Sequence, residues 1–112
     1  MKIAIPVVNG KLSPHFGHSE GFAFYEVEKS SKKILGYKII EAPPHEPGLL
    51  PKWLASHGAD IIIAGGMGKR AQDLFSSNNI EVVVGAQGSD TKQIVLAYLE
   101  GNLETSQNLC DH

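Results

Sequence analysis

The chain has 112 residues, of which 42% are hydrophobic and 20% charged, so it is long enough for one globular domain and too apolar to be intrinsically disordered. Ten Lys and Arg against twelve Asp and Glu leave a net charge of -2, which disfavours a dedicated nucleic-acid binder because such proteins need a basic stripe. The single cysteine, Cys110, excludes an internal disulfide framework and any site in which one chain supplies two or more thiolates. Neither a signal peptide nor a membrane span is evident, and a cytoplasmic protein is expected.

The first half of the chain has the pattern of β-strands. A nearly continuous apolar, β-branched run over 3–8 predicts a strand that is buried on both faces and ends at a turn. Residues 11–21 are expected to form an irregular loop. Alternating apolar and polar residues over 22–28, followed by a turn and a second strand over 33–41, predict a hairpin.

The second half alternates helices with short buried strands. The predicted elements are a helix over 50–57, a strand over 61–64, a helix closed by Asn78-Asn79, a strand over 81–84 and a helix from 90 to 101. The middle helix is expected to present Ala71, Leu74 and Phe75 to the core. The order β-β-β-α-β-α-β-α therefore predicts a single α/β domain over 1–101. Its mixed sheet has five strands, the second antiparallel, and a flexible tail follows over 102–112.

This topology places the residues that could bind a ligand or a metal at one edge of the sheet. Right-handed crossovers make the strands at 61–64 and 81–84 parallel to the first strand, so their carboxyl ends share one edge. Ligands of open α/β sheets bind at that edge. The residues expected there are His15, His18, His45, Gly65 to Gly68 and Gly85 to Gly88. Cys110 starts from the opposite side.

The segment Gly65-Gly66-Met67-Gly68 lies between a strand and a helix. Glycines allow a ligand to approach the backbone, the free N–H groups of a helix start attract anions, and Lys69 and Arg70 add positive charge. The alternative is a tight turn with no ligand. The spacing matches neither a dinucleotide fingerprint nor a P-loop. Met67 has two interpretations of its own, a soft thioether ligand or a packed side chain.

Three histidines are candidate metal ligands. His15 and His18 are three residues apart in one loop, where two imidazoles can bind a metal or donate to an anion. His45 is expected at the same edge. This favours a shared site with at least two of the three histidines over three unrelated surface histidines. By contrast, His57 lies on the inner face of a predicted helix and is expected in the core or at its boundary.

Catalytic machinery is not evident in the sequence. No nucleophile elbow occurs, and the first strand carries no acid of the kind that two-metal phosphoryl transfer needs. The prediction is therefore a protein that is not an enzyme.

Five segments carry a resemblance to a known family. They are Ile3 to Val7, Ser13 to Gly17, Phe24 to Val27, Ala59 to Gly68 and Val84 to Gly88. In this order they resemble the dinitrogenase iron-molybdenum cofactor biosynthesis family over residues 1–101. The resemblance implies a ribonuclease-H-like three-layer fold. It also implies a non-catalytic protein that binds or carries an iron-molybdenum cofactor, its precursor or another metal-sulfur cluster.

The resemblance assigns the family histidine to His15 and the cluster-facing loop to Gly65, Gly66 and Gly68. The full set of predicted cofactor-binding residues is His15, Gly17, His18, Gly65, Gly66, Met67, Gly68, Lys69 and Arg70, and the predicted metal ligands are His15, His18 and His45. The chain departs from its relatives in two places. Residues 43–47 are Pro-rich, where many relatives have a Gly-rich or His-rich stretch. Some relatives also have a tail rich in Cys and His, whereas the tail of this chain has only Cys110 and His112.

A metal-sulfide cluster brings its own sulfur, so the scarcity of cysteine is compatible with this interpretation. The implied partners are the cluster and other cofactor-assembly proteins, with no nucleic acid or membrane. The oligomeric state stays open, a monomer included. Two alternatives remain: a regulatory module that binds an anion or a partner protein without metal, and a phosphoryl-transfer enzyme on the ribonuclease-H-like fold.

Overall fold

The fold is organised around one mixed β-sheet with helices on both faces. The computed structural model describes residues 1–13, 19–43 and 48–103, and all elements named below lie within them. The strands are β1 (Lys2–Val8), β2 (Lys11–Leu12), β3 (Gly21–Glu28), β4 (Lys33–Glu41), β5 (Ile61–Ile63) and β6 (Glu81–Val83), and the helices are α1 (Leu49–Ser56), α2 (Lys69–Ser77) and α3 (Thr91–Glu100).

The main strands follow the order β4-β3-β1-β5-β6, and β2 pairs with β1 outside this path. β3 runs antiparallel to both β1 and β4, whereas β5 and β6 run parallel to β1. The strands β1, β4, β5 and β6 therefore point the same way, and their last residues form one edge of the sheet. We call this edge the carboxyl rim; it is defined by Val8, Glu41, Ile63 and Val83.

Alternate residues of the central strands supply two apolar clusters, one on each face of the sheet. On one face, Ile3 and Ile5 of β1 and Ile61 and Ile63 of β5 pack with Ile94, Val95 and Leu99 of α3. On the other face, Ala4 and Ile62 pack with Phe22 and Phe24 of β3, Leu54 of α1 and Phe75 of α2. The central strands are buried on both faces because both clusters draw on them, as their continuous apolar sequence predicts.

The single α/β domain with a mixed sheet is confirmed, but the strand count is corrected by β2. The sequence predicts a loop over 11–21, whereas in the structure Leu12 pairs with Val7 and Lys11 with Val8. The turn between them has Asn9 at φ 54° and Gly10 at φ 77°. Two central residues with positive φ characterise the type I′ hairpin, for which Asn-Gly is the strongest short signal.

The positions of the helices agree with the sequence prediction, with one exception on α2. Phe75 is fully buried and Ala71 packs against the same cluster, but Leu74 is 37% exposed. The expectation that Leu74 faces the core is therefore wrong. None of the helices in the described ranges could cross a bilayer; the longest, α3, has ten residues, about half the length of a membrane span.

Candidate cofactor-binding rim

The two glycine loops that follow β5 and β6 are hydrogen-bonded to each other at the carboxyl rim. The Gly85 N–H donates to the Gly65 carbonyl over 2.9 Å, and the Ala86 N–H donates to the Ala64 carbonyl over 3.1 Å. Gly85 has φ 79°, a left-handed conformation that favours glycine. The predicted convergence of these two loops is confirmed, and the two bonds join the backbone at 64–65 directly to the backbone at 85–86.

The start of α2 lies directly after the first glycine loop. Gly68 is the N-cap residue, no described side chain caps the helix, and its first turn contains no acid. Lys69 and Arg70 are exposed, and neither forms an ion pair with another residue in the described ranges. The free N–H groups and the positive end of the helix dipole therefore add to two cationic side chains, an arrangement that favours a bound anion.

Gln72 fixes the glycine loop from within the helix. Its backbone N–H donates to the Gly68 carbonyl over 3.1 Å, and its side-chain Nε2 donates to the Met67 carbonyl over 2.9 Å. Two bonds from one residue hold the last two residues of the loop in place. The role of Gln72 in holding the loop could not be predicted from the sequence, because glutamine is a common residue in helices and no motif marks this position.

Met67 lies in the core. Its side chain is fully buried and belongs to the apolar cluster that contains Phe24, Leu54 and Phe75. Of the two interpretations offered by the sequence, this geometry fits the packed side chain. A thioether ligand would need its sulfur at the surface of the rim.

The residues that flank segment 14–18 are tied to the end of β1. The Ser13 N–H donates to the Pro6 carbonyl over 2.9 Å, and the Glu20 N–H donates to the Val7 carbonyl over 2.8 Å. Ser13 is fully buried although it is polar. Both flanks of the segment thus lie next to the carboxyl rim. Four predicted site residues, His15, Gly17, His18 and His45, lie outside the described residues, as do Cys110 and His112.

Charge on the rim is divided between its two halves. Lys69 and Arg70 stand at the β5 end, whereas Glu20 and Glu41 are exposed at the β3–β4 corner. As far as the described residues decide it, an anionic ligand is therefore favoured at the start of α2 rather than at the β3–β4 corner. No group of three or more His, Cys, Asp or Glu able to hold a metal ion occurs within 1–13, 19–43 and 48–103.

His57 lies at the opposite edge of the sheet. Its carbonyl accepts a hydrogen bond from the Lys2 Nζ over 2.9 Å, and Lys2 is the first residue of β1. The imidazole packs against Trp53 in a tilted arrangement, with ring centroids 4.4 Å apart and 51° between the ring planes, and His57 is half-buried. The boundary position predicted for His57 is confirmed, and its distance from the carboxyl rim separates it from the candidate site.

Comparison with known proteins places this geometry in a family. The family described as dinitrogenase iron-molybdenum cofactor matches residues 1–101. The chain belongs to this family. It is 35% identical over 109 residues to an uncharacterised protein of Methanocaldococcus jannaschii, a match that covers 93% of this chain and 90% of that protein.

Solved structures show the same fold as this member of the dinitrogenase iron-molybdenum cofactor family. The crystal structure of PH0822 has a TM-score of 0.87 and 33% identity, with 95% of each chain covered. The apo form of the orange protein from Desulfovibrio gigas has a TM-score of 0.71 and 22% identity, with 96% of this chain and 93% of that chain covered. At the latter identity the likeness concerns the fold alone.

Proposed function

We propose that this protein is a non-catalytic carrier of an anionic metal-sulfur cluster, either an iron-molybdenum cofactor, its precursor or a related cluster. The observation that carries the proposal is the pair of bonded glycine loops beside the uncapped start of α2, with Lys69 and Arg70 exposed next to it. Membership of the dinitrogenase iron-molybdenum cofactor family supports the same class of cargo.

The donor set of the described residues fits a cluster that brings its own sulfur. Those residues contain no cysteine, so they offer no thiolate to assemble a cluster from free iron. They do offer backbone N–H groups, close approach at the partly exposed Gly65 and Gly68, and two cations. These are the groups that hold an anion by its surface.

Histidines would complete the site. We propose His15 and His18 as imidazole ligands, with Gly17 between them giving room for the cargo, and His45 as a third ligand. The flanking bonds of Ser13 and Glu20 to β1 support a position of that segment near the rim. Met67 is not among the proposed ligands because its side chain is buried in the core.

Weak attachment suits a carrier. A site made of backbone donors, a few imidazoles and exposed cations binds without forming several metal-thiolate bonds, so its cargo can leave. The receiving partners would be other cofactor-assembly proteins. We also propose that the fold is ribonuclease-H-like, as the resemblance to the family implies.

The test is anaerobic titration of the protein with an iron-sulfide cluster assembled from ferrous iron and sulfide. Binding should produce a visible charge-transfer band that co-elutes with the protein on gel filtration. His15→Ala and Lys69→Glu should each weaken the band. The matched control is Lys29→Glu, since Lys29 is an exposed lysine in the turn after β3, at the edge opposite the rim, and its reversal should leave the band unchanged.

Inorganic phosphate separates the carrier from the anion-binding alternative. A cluster held by imidazoles should persist in phosphate, with only a modest loss of affinity. Saturable phosphate binding that Lys69→Glu abolishes, together with no band from the cluster, would favour a regulatory module instead. Absence of both would contradict any anionic ligand at this rim.

A further inference from the structure

The strand β4 is a long edge of the sheet with apolar side chains facing solvent. It has nine residues and stands at the end of the strand order, and among the described strands it pairs only with β3. Leu35, Tyr37 and Ile39 are 61%, 54% and 48% exposed. The other edge strand, β6, has three residues and is too short to act as a template. Long apolar edges are unusual because they invite pairing with another chain.

The apolar side chains of β4 continue one face of the core. Tyr37 stands opposite Tyr25 and Ile39 opposite Ala23, and both of these β3 residues belong to the cluster under α3. The Tyr25 and Tyr37 rings contact each other in a tilted arrangement, with centroids 4.7 Å apart. A cavity of about 400 Å³ lies on this face between Tyr37 and the start of α3 at Thr91 and Lys92, and a second cavity of about 240 Å³ lies beside Ile39.

A bulge limits where a new strand can pair. The β3–β4 register shifts between Glu26 and Val27, which face Gly36 and Ile34, so Leu35 is the extra residue. Regular alternation on β4 therefore extends from Gly36 to Glu41. In that stretch Lys38 and Glu41 are exposed, and neither forms an ion pair with another described residue.

A second copy of the chain fits this edge poorly. Antiparallel pairing that keeps like faces together can set Tyr37 against Ile39 of a second copy, but then the two Lys38 side chains stand directly opposite each other. A register with Ile39 of both copies opposite each other places Tyr37 opposite Glu41. A register with Tyr37 of both copies opposite each other places the bulged Leu35 opposite Ile39. Like charges directly opposite one another destabilise the first of these strand pairs. The second places a carboxylate against an aromatic side chain, and the third uses the bulged residue, where the alternation of β4 is broken.

We infer that the outer edge of β4 binds an extended segment of a different protein, which adds as an antiparallel strand. The segment would carry apolar residues opposite Tyr37 and Ile39, an acidic residue opposite Lys38 and a basic residue opposite Glu41. Backbone bonds would provide much of the affinity and the alternating side chains the specificity, as in other cases of strand addition. This interaction surface does not depend on the cluster site and goes beyond the carrier function.

The experiment uses a labelled peptide with the core Lys-Thr-Val-Glu-Val, whose residues oppose positions 41 to 37 of the intact protein in that order. Fluorescence anisotropy should show saturable binding. Ile39→Asp should weaken binding at least tenfold because it buries a charge against an apolar residue. Lys38→Glu should weaken it severalfold, and a peptide with Lys in place of Glu should restore the lost affinity. The control Lys29→Glu should have no effect, and thermal melting checks that each variant is folded.

Backbone pairing is tested with two N-methylated peptides. Only alternate N–H groups of an added strand face its neighbour, so methylation at one Val should abolish binding and methylation at the adjacent Glu should not. No binding at millimolar peptide, binding that ignores the Lys38 charge, or equal loss from both methylated peptides would each overturn the proposal. A concentration-dependent dimer that Ile39→Asp disrupts would overturn it in favour of a second copy.

Discussion

The Tyr25 hydroxyl lies 2.7 Å from the Thr91 hydroxyl and joins the middle of β3 to the first residue of α3. Both residues are buried, with 4% of each exposed. Every buried side-chain nitrogen and oxygen of the described residues has a partner, and this pair accounts for two of those oxygens. The bond therefore fixes the start of α3 against the sheet.

Removal of one hydroxyl should destabilise the fold. Tyr25→Phe leaves the Thr91 hydroxyl buried without its partner, which costs about 1–3 kcal/mol in the free energy of unfolding. Urea denaturation measures this loss. Tyr37→Phe is the matched control because Tyr37 is 54% exposed, and it should change stability by less than about 0.5 kcal/mol. Adding Thr91→Val to Tyr25→Phe should recover part of the loss, since both polar groups are then gone; an additive double variant would contradict this coupling.

Stability should fall in alkaline solution. Burial raises the pKa of Tyr25 above its ordinary value of 10.0, an effect that the hydrogen bond between Tyr25 and Thr91 partly offsets. Burial also raises the pKa of Tyr98. Above pH 10 the unfolded chain loses phenolic protons that the folded chain retains, so the free energy of unfolding decreases as pH rises and is unaffected below that range. Urea titrations between pH 8 and pH 11 (values chosen about the ordinary tyrosine pKa) should show the decline. Tyr25→Phe should make it shallower, and an unchanged slope would contradict a raised pKa of Tyr25.

The main strands could be predicted because their sequence patterns are strong and local. Continuous β-branched residues in β1, alternation in β3 and the turn signal before β4 predicted bounds within a residue or two of the observed ones. β2 could not be predicted, since a strand of two residues has no periodicity of its own. Its existence depends on β1 as a neighbour and on the conformation of Asn9-Gly10.

The site could be predicted only as far as topology determines it. The crossovers require both glycine loops to reach one rim, and the bond from Gly85 to Gly65 confirms that they do. The burial of Met67, the bond from Gln72 to its carbonyl and the exposure of Leu74 depend on how the helices are rotated against the sheet. A single sequence gives the apolar stripe of a nine-residue helix too coarsely to fix that rotation.

Gly85 should be sensitive to a methyl group because of its backbone conformation. At φ 79° an alanine would adopt the left-handed region, which costs about 1–2 kcal/mol, and relaxing that strain would disturb the bond to Gly65. Gly85→Ala should therefore lower the unfolding free energy and weaken cluster binding. The control is Gly36→Ala, where the new methyl carbon would meet only the Glu26 Cβ at 3.8 Å; its stability should be unchanged or slightly higher. Equal effects of the two substitutions would contradict a conformational requirement at Gly85.

Substitutions at Met67 test whether its side chain packs in the core or binds the cluster. Since its side chain is fully buried in the cluster beside Phe75, Met67→Leu preserves volume and should cost less than about 1.5 kcal/mol. Met67→Ala leaves a cavity and should cost about 2–5 kcal/mol. Because the proposed site does not use the thioether, Met67→Leu should keep the charge-transfer band of the bound iron-sulfide cluster. A leucine variant with normal stability and no band would instead make the sulfur a ligand, which would require Met67 to leave the core when cargo binds.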